Sequence, residues 1–105
     1  MKRGEIWWAE LPKPAGRRPV ILLSRDEAYE VRRLVTVAPV TTRVRGIPVE
    51  VPLGPKDGLP RECVANFDTV TTIPKDALRE RLTVLSRSKM TAVDAALRFA
   101  LGLQK

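Results

Sequence analysis

Proline and glycine divide this chain of 105 residues into short segments, and that division limits what it can fold into. They are concentrated in three clusters, at 12–16, 45–48 and 54–60. Proline fixes φ and lacks an N–H, and glycine often adopts positive φ, so these clusters form loops rather than parts of regular elements. The apolar runs between them have the length of strands. The pattern predicts a small fold built mainly from short strands.

Six runs of mostly apolar or β-branched residues are predicted to be strands. Run 18–24 is apolar at successive positions, as expected for a central strand that is covered on both faces. Run 34–40 contains Pro39, which indicates either an edge strand or a bulge near its end. One or two helical turns are expected within 26–33. The predicted strands cover residues 5–11, 18–24, 34–40, 49–53, 63–73 and 81–86.

The last segment of the chain changes to a helical period. Met90, Val93 and Leu97 recur at three- and four-residue steps, which places them on one face of a helix. Ser86 or Ser88 can cap its N-terminus by accepting a hydrogen bond from a free backbone N–H. The apolar face has to pack against the sheet or against a second copy of the chain. These elements predict an α+β fold, mainly β, with a small, strongly bent or barrel-like sheet.

The chain has an excess of positive charge, with 19 Lys and Arg against 12 Asp and Glu and a net charge of +7 at pH 7. A small basic protein of this kind most often binds a polyanion, either nucleic acid or an acidic protein. The alternative is a solvated surface whose charge only keeps the protein soluble. There is no apolar run of about 18 residues and no signal-peptide pattern. We therefore expect a single cytoplasmic domain, residues 1–105, with no membrane partner.

The residues that usually perform metal or acid–base chemistry are scarce. Cys63 is the only cysteine and there is no histidine, so the sequence predicts no intrachain disulfide, no metal site and no cofactor. Any catalysis would depend on carboxylates, hydroxyls or cations. Cys63 itself is expected to be a small buried hydrophobic residue.

Several short motifs follow one another along almost the entire chain. They are Arg-Gly-Glu-Ile-Trp at 3–7, Gly-Arg-Arg-Pro-Val at 16–20, Val-Ala-Pro-Val-Thr at 37–41 and Thr-Ile-Pro-Lys at 72–75. Their order and spacing resemble the MazF/PemK family of toxin endoribonucleases. The resemblance implies an SH3-like barrel of antiparallel strands with a C-terminal helix. It also implies a homodimer that cleaves single-stranded RNA without a metal, and an acidic antitoxin that covers the RNA groove. DNA binding by the toxin itself is not expected.

Cleavage of RNA without a metal requires the 2′-hydroxyl to attack the adjacent phosphate, which gives a 2′,3′-cyclic phosphate and a free 5′-hydroxyl. The reaction needs a base, a group that stabilises the charge on the phosphorane, and an acid for the leaving oxygen. Because the chain has no histidine, the base would be a carboxylate whose pKa is raised by desolvation.

The resemblance assigns catalytic roles to Arg18, Thr41 and Asp68. The guanidinium of Arg18 offers a planar set of donors to phosphate oxygens and keeps its charge, so it is expected to stabilise the phosphorane. The Thr41 hydroxyl is expected to bind the scissile phosphate or to orient the nucleophile. Asp68 falls on the position of the base in the PemK-like branch. The structural alternatives are a surface arginine, an ordinary strand threonine and an aspartate that caps the following turn.

Two features depart from the PemK-like branch. Asn66 stands where that branch has an arginine two residues before its aspartate, and the loop at 12–16 is short and lacks a histidine. Contacts with RNA are expected from residues that neighbour the three catalytic positions, although Arg17 is equally suited to contact the antitoxin. These residues are Arg17, Thr42, Arg43, Asn66 and Thr69.

Trp7 and Trp8 are adjacent in one predicted strand and therefore face opposite ways. Either both pack in cores and interfaces, or one is a platform on which an RNA base stacks or a partner docks.

Two other functions compete with the nuclease. A gyrase-poisoning toxin of the CcdB type would resemble the same fold, but it ends in a Trp-Gly-Ile tail, whereas this chain ends Leu-Gln-Lys. A non-catalytic basic SH3-like nucleic-acid module, or an inactive toxin relative, is the stronger alternative, because Asn66 and the short loop alter the expected acid–base pair.

Overall fold

The computed structural model describes residues 1–103 and consists of one antiparallel sheet with a long C-terminal helix. Three short 3₁₀ turns lie between the later strands, at Pro55–Asp57, Phe67–Thr69 and Lys75–Ala77. The strands and helices are β1 (Glu5–Glu10), β2 (Arg17–Leu22), α1 (Ala28–Val31), β3 (Leu34–Thr41), β4 (Glu50–Leu53), β5 (Cys63–Asn66), β6 (Thr71–Pro74), β7 (Leu78–Val84) and α2 (Arg87–Leu101).

The strands form a bent sheet in the order β4-β5-β3-β2-β1-β7, and β6 also pairs with β3. The outer strands β4 and β7 do not pair with each other within residues 1–103, so the barrel is open. This arrangement confirms the predicted fold class, a mainly β protein with a C-terminal helix. No helix within this range is long and apolar enough to cross a membrane.

Strand β3 is the centre of the sheet. One side pairs with β2, while the other side pairs first with β6, through residues 34–37, and then with β5, through residues 40–41. Pro39 lies in the gap where the partner changes. Of the two alternatives for 34–40, the edge strand was wrong, because β3 is paired on both sides; Pro39 instead lies near the strand end, at the irregularity where one partner replaces the other.

The sheet has a core on each face, as the alternation of side chains in β2 requires. Ile21 points to the first core, which α2 covers with Val93 and Ala96. Val20 and Leu22 point to the second core, which contains Tyr29 of α1. The prediction that 18–24 forms a central strand covered on both faces is confirmed.

The predicted strand at 63–73 is interrupted, which corrects the sequence interpretation. β5 ends at Asn66, whose side-chain Oδ1 accepts a hydrogen bond from the backbone N–H of Asp68 at 2.8 Å. Thr69 Oγ1 donates to the carbonyl of Asn66 at 3.3 Å. Short polar side chains compete with the sheet for backbone groups. They produce a 3₁₀ turn here that directs Phe67 into the first core.

The N-cap of helix α2 is Ser86, one of the two serines predicted to cap it. Ser86 Oγ accepts from the N–H of Lys89 at 3.1 Å, and Gly102 adopts positive φ at the C-terminus. Its far end leaves Phe99 and Leu101 exposed, at 52% and 59% of their surface. The helix therefore presents apolar surface that one chain does not cover.

Candidate active site

The register between β2 and β3 brings Arg18 and Thr41 to the same end of the sheet. Val20 pairs with Pro39 in this ladder. The same register, continued by two residues, places Arg18 opposite Thr41. Side chains two residues apart in a strand point to the same face, so both project from the face that carries Val20. The structure brings together two of the three predicted catalytic residues.

The guanidinium of Arg18 is almost free to bind a ligand. Its Nε donates one long hydrogen bond of 3.4 Å to the carbonyl of Ala15, and it has no ion-pair partner within residues 1–103. The side chain is half-buried where β2 begins, beside its β1 partner Ala9. A planar cation with unused donors at a strand end is suited to bind a phosphate.

The Thr41 hydroxyl has its proton available for a substrate. Its Oγ1 accepts a hydrogen bond from the backbone N–H of Arg43 at 3.1 Å, so its own O–H is still able to donate. This local bond also turns the chain out of β3. The candidate RNA-binding residues Thr42 and Arg43 therefore lie exposed at the start of the next loop.

A buried carboxylate anchors that loop, and sequence reasoning missed it. Glu50 is only 8% exposed. Its carboxylate accepts hydrogen bonds from the backbone N–H of Arg45, at 3.0 and 3.3 Å, and of Gly46, at 2.9 Å. Charge-assisted bonds of this kind are stronger than those between neutral groups. The only signal in the sequence was a glutamate four residues after an arginine-glycine pair, a pattern too common to identify the contact.

Asp68 does not lie beside the other two residues within one chain. Thr41 pairs with Val64, and Asp68 follows Val64 by four residues in the turn Phe67–Thr69. At about 3.3 Å per strand residue and about 2 Å per residue of a 3₁₀ turn, Thr41 and Asp68 are about 10 Å apart along the sheet. The Asp68 carboxylate is exposed and has no hydrogen bond in the described part of the chain. Asn66, rather than Asp68, caps the turn.

Arg17 stacks on an aromatic ring instead of standing free. Its guanidinium lies 4.6 Å from the centre of the Trp8 ring, and carboxylate oxygens of Glu10 and Glu80 lie 3.9 Å from its nitrogens. Long ion pairs between exposed side chains contribute little, about 0–1 kcal/mol. Arg17 can therefore exchange these carboxylates for a phosphate or an acidic partner.

The two tryptophans have different surroundings. Trp7 packs against the second core and donates from Nε1 to the carboxylate of the buried Glu5 at 2.8 Å. Trp8 instead lines a cavity of about 250 Å³ that opens next to Thr41. Of the two alternatives for this pair, the structure supports a core role for Trp7 and a surface role for Trp8.

Cys63 is buried, 6% exposed, at the start of β5. Burial, together with the nearby charges of Glu62 and Asp57, raises the pKa of its thiol. A protonated, buried thiol is a poor nucleophile, which agrees with its expected role as a small hydrophobic residue.

The fold and this site define a class: a small basic protein, built on an open antiparallel barrel, with an arginine and a hydroxyl at one end of the sheet. Residues 2–101 match the family described as PemK-like, MazF-like toxin of type II toxin-antitoxin system. The chain belongs to this family.

Named relatives and solved structures agree with this assignment. The chain is 43% identical over 104 residues to the probable endoribonuclease MazF5 of Mycobacterium tuberculosis, covering 98% of this chain and 94% of that protein. The M. tuberculosis toxin MazF-mt6 matches with a TM-score of 0.88 and 35% identity, over 96% of this chain and 99% of that one. An endoribonuclease solved in complex with its cognate antitoxin, from a mycobacterial species, matches with a TM-score of 0.89 and 30% identity, over 100% and 98% of the two chains.

Proposed function

We propose that this protein is the toxin of a type II toxin–antitoxin system and a sequence-specific endoribonuclease. It cleaves single-stranded RNA through attack of the 2′-hydroxyl, without a metal, and so inhibits translation and growth. One observation carries the proposal: Arg18, with donors left unused, stands opposite the Thr41 hydroxyl at the end of adjacent strands. The net charge of +7 and the endoribonuclease names of relatives support the same substrate.

In this mechanism the phosphate undergoing attack lies between Arg18 and Thr41. The Arg18 guanidinium stabilises the charge that develops on the phosphorane oxygens, because it offers paired donors and stays protonated. The Thr41 O–H donates to a phosphate oxygen. Neighbouring phosphates and sugars bind along Arg17, Thr42, Arg43, Asn66 and Thr69.

Asp68 is our candidate for the base, and it has to reach the phosphate from a distance. Its separation from Thr41, about 10 Å along the sheet, is longer than a hydrogen bond. The carboxylate acts as base only if it comes from the partner subunit or if the bound RNA crosses from one residue to the other. Mixing Arg18→Ala with Asp68→Ala protein distinguishes these arrangements, since only a site shared between subunits regains activity in mixed dimers.

The partners follow from the surface. The protein, a single toxin domain of residues 1–105, acts in the cytoplasm as a two-fold homodimer. The exposed Phe99, Leu101 and Leu103 are apolar surface of the kind that a second copy covers. An acidic antitoxin binds the basic RNA groove and blocks it by charge and occupancy.

A non-catalytic RNA-binding module is the second candidate. It is favoured by Asn66 in place of an arginine and by the distance of Asp68 from Arg18 and Thr41. A binder of this kind loses only affinity when Arg18 is removed, whereas an enzyme loses cleavage.

The deciding experiment incubates purified protein with a long single-stranded RNA in excess EDTA, beside Arg18→Ala and Asp68→Ala variants checked by circular dichroism. The proposal expects discrete cuts with 2′,3′-cyclic phosphate ends that disappear with Arg18→Ala. Loss of cleavage in Asp68→Ala supports the assigned base. A folded wild-type protein that binds but never cuts a varied set of RNAs favours the non-catalytic module.

A further inference from the structure

We propose that the cavity beside Thr41 receives one unstacked RNA base next to the cleaved phosphate and selects it by shape and by its polar edge. This inference rests on the proposed function and adds a specificity site to it. The cavity, of about 250 Å³, has walls from four separate segments of the chain. Its less buried lining residues are Trp8, Pro19, Thr41, Thr42, Pro60 and Arg61.

The walls suit the face of a base. Trp8 and Pro19 are directly paired positions of β1 and β2, so their side chains form one continuous flat wall. Behind them the buried side chains of Val40, Leu59 and Cys63 close the cavity with apolar surface. Every base has an apolar face that stacks on aromatic rings, and RNA-binding proteins usually read bases that have been unstacked in this way.

The Trp8 ring already takes part in stacking of this type. The planar guanidinium of Arg17 lies 4.6 Å from its centre. Since a flat, delocalised group packs on this ring in the free protein, a flat base meets a surface of the same chemistry. The carboxylates of Glu10 and Glu80 lie 3.9 Å from the Arg17 guanidinium and are exposed. Because such ion pairs are weak, the guanidinium can move toward a phosphate when RNA binds.

The rim supplies the groups that would read the edge of a base. Thr42 and Arg61 are both exposed and both line the cavity. A threonine hydroxyl donates or accepts, and a guanidinium only donates. The combination favours bases that present acceptors on their exposed edge.

The position of Thr41 favours RNA over a protein side chain as the occupant. Thr41 lines the cavity at the end of β3, where it stands opposite Arg18, so RNA bound at this end of the sheet passes the cavity mouth. By the alternation of side chains, Trp8, Pro19 and Val40 lie on the face of the first core and Arg18 and Thr41 on the face of the second, so the RNA passes around the end of the sheet from the phosphate site to the cavity. Arg17 and Arg61 beside the cavity attract a phosphate chain. An apolar side chain of an antitoxin would use the walls but not this continuity with the phosphate site.

The first test uses RNA oligonucleotides in which each nucleotide around the cut is replaced in turn by an abasic one. For the wild type, one flanking position is expected to lose about 10–100-fold in kcat/KM, the usual size of one base–aromatic stack. Trp8→Leu should lose a similar factor on normal RNA and lose nothing further on the abasic oligonucleotide. Trp8→Phe should recover most of the loss. Equal tolerance of abasic nucleotides at all positions by the wild type overturns the proposal.

Arg61→Ala is a second variant, and it is expected to fold normally because the Arg61 side chain lies on the surface. Its matched control is Arg79→Ala, which removes the same charge from an exposed position of β7 outside the cavity. The proposal expects Arg61→Ala to broaden the choice of base at one position of the cleavage sequence, and Arg79→Ala to leave that choice unchanged. Identical cleavage patterns for the two variants contradict it.

A binding measurement separates failure of this inference from failure of the proposed nuclease. RNA containing 5-iodouridine is photo-crosslinked to the wild-type protein, and the modified peptide is identified by mass spectrometry. Crosslinks to Trp8 or to residues 59–63 support the base site even if no cleavage occurs. Crosslinks confined to other segments overturn it. The proposal also fails if Trp8→Leu and Arg61→Ala cleave normally but resist inhibition by an acidic antitoxin, which would assign the cavity to the antitoxin.

Discussion

Arg3 and Arg18 occupy different ends of the sheet, and the protein uses them in opposite ways. The Arg3 side chain donates to the carbonyl of Leu23 at 3.0 Å and to the carboxylate of Asp94 on α2 at 2.8 Å. Among residues 1–103, the Arg18 side chain has only its long hydrogen bond to the carbonyl of Ala15. Arg3 therefore joins the segment after β2 to α2, whereas the unused donors of Arg18 are available to a ligand. This contrast is the structural reason for proposing Arg18, and not Arg3, as the arginine that binds the phosphate.

The largest expected effect is a loss of activity in Arg18→Ala, whereas Arg3→Ala is expected to lose stability instead. Arg18→Ala is expected to lower kcat/KM by about 10²–10³-fold, the usual loss when one donor to a developing oxyanion is removed. Its melting temperature should stay close to that of the wild type. Arg3→Ala should instead destabilise the fold by about 1–3 kcal/mol, because it breaks bonds to a carboxylate and a carbonyl.

Both variants are measured for cleavage at a temperature well below unfolding, and for stability in urea. Arg18→Lys is the matched control for charge, and it should recover little activity because it lacks the planar set of donors. A folded Arg3→Ala protein without activity would contradict the assignment of a purely structural role to Arg3.

The second prediction concerns the hydroxyl opposite Arg18. Thr41→Val keeps the β-branched shape but removes the O–H, so kcat is expected to fall by about 10–100-fold, the value of one hydrogen bond to a charged group. Thr41→Ser should retain activity. Single-turnover cleavage of RNA measures both, and full activity of Thr41→Val would exclude Thr41 from the phosphate site.

The third prediction concerns the Glu50 carboxylate, which accepts hydrogen bonds from backbone N–H groups of the β3–β4 loop. Glu50→Gln weakens the bonds to the N–H groups of Arg45 and Gly46, and is expected to cost about 1–2 kcal/mol of stability. The loop should also become more accessible, so trypsin should cut after Arg43 and Arg45 faster than in the wild type. Glu62→Gln, at an exposed position, is the control. Equal digestion rates would show that the carboxylate does not hold the loop.

The last prediction concerns alkaline pH and another group whose hydrogen bond is internal. Burial raises the pKa of Tyr29 from 10.0 to about 12. Between these values the unfolded chain has lost the phenol proton while the folded protein keeps it, so stability falls as the pH rises from about 10 to 12. In Tyr29→Phe this part of the decline should vanish, although the variant loses the bond to the Ser24 carbonyl, about 1 kcal/mol, at neutral pH. Parallel stability curves for the two proteins would contradict the prediction.

Local patterns in the sequence predicted most of the elements, because their causes lie within a few residues. Ser86 caps α2 through its own hydroxyl, and the continuous apolar run in 18–24 follows from a strand covered on both faces. The prediction of one continuous strand at 63–73 was wrong. These residues have high strand propensity, but residues 67–69 form a 3₁₀ turn instead. The bond from Asn66 to the Asp68 N–H ended the strand.

The site was predictable only where the family motifs carried it. The resemblance named Arg18 and Thr41, but no local pattern predicted that β2 pairs with β3, which is what brings both residues to the same end of the sheet. The anchoring of the loop by Glu50 depends on the position of two backbone N–H groups, which no residue pattern specifies. The cavity joins residues from four distant segments, so it exists only in the folded chain.

The attachment of the β3–β4 loop to Glu50 has a consequence for how this protein can change. The carboxylate holds the backbone of Arg45 and Gly46, and it makes no demand on the side chains that the loop displays. Substitutions at Thr42, Arg43 and Val44 can therefore accumulate while the path of the main chain is preserved. On the proposed role of Thr42 and Arg43 in binding RNA, a toxin built in this way acquires a new recognition sequence by point mutation, and a library restricted to those positions is a rational starting point for engineering one.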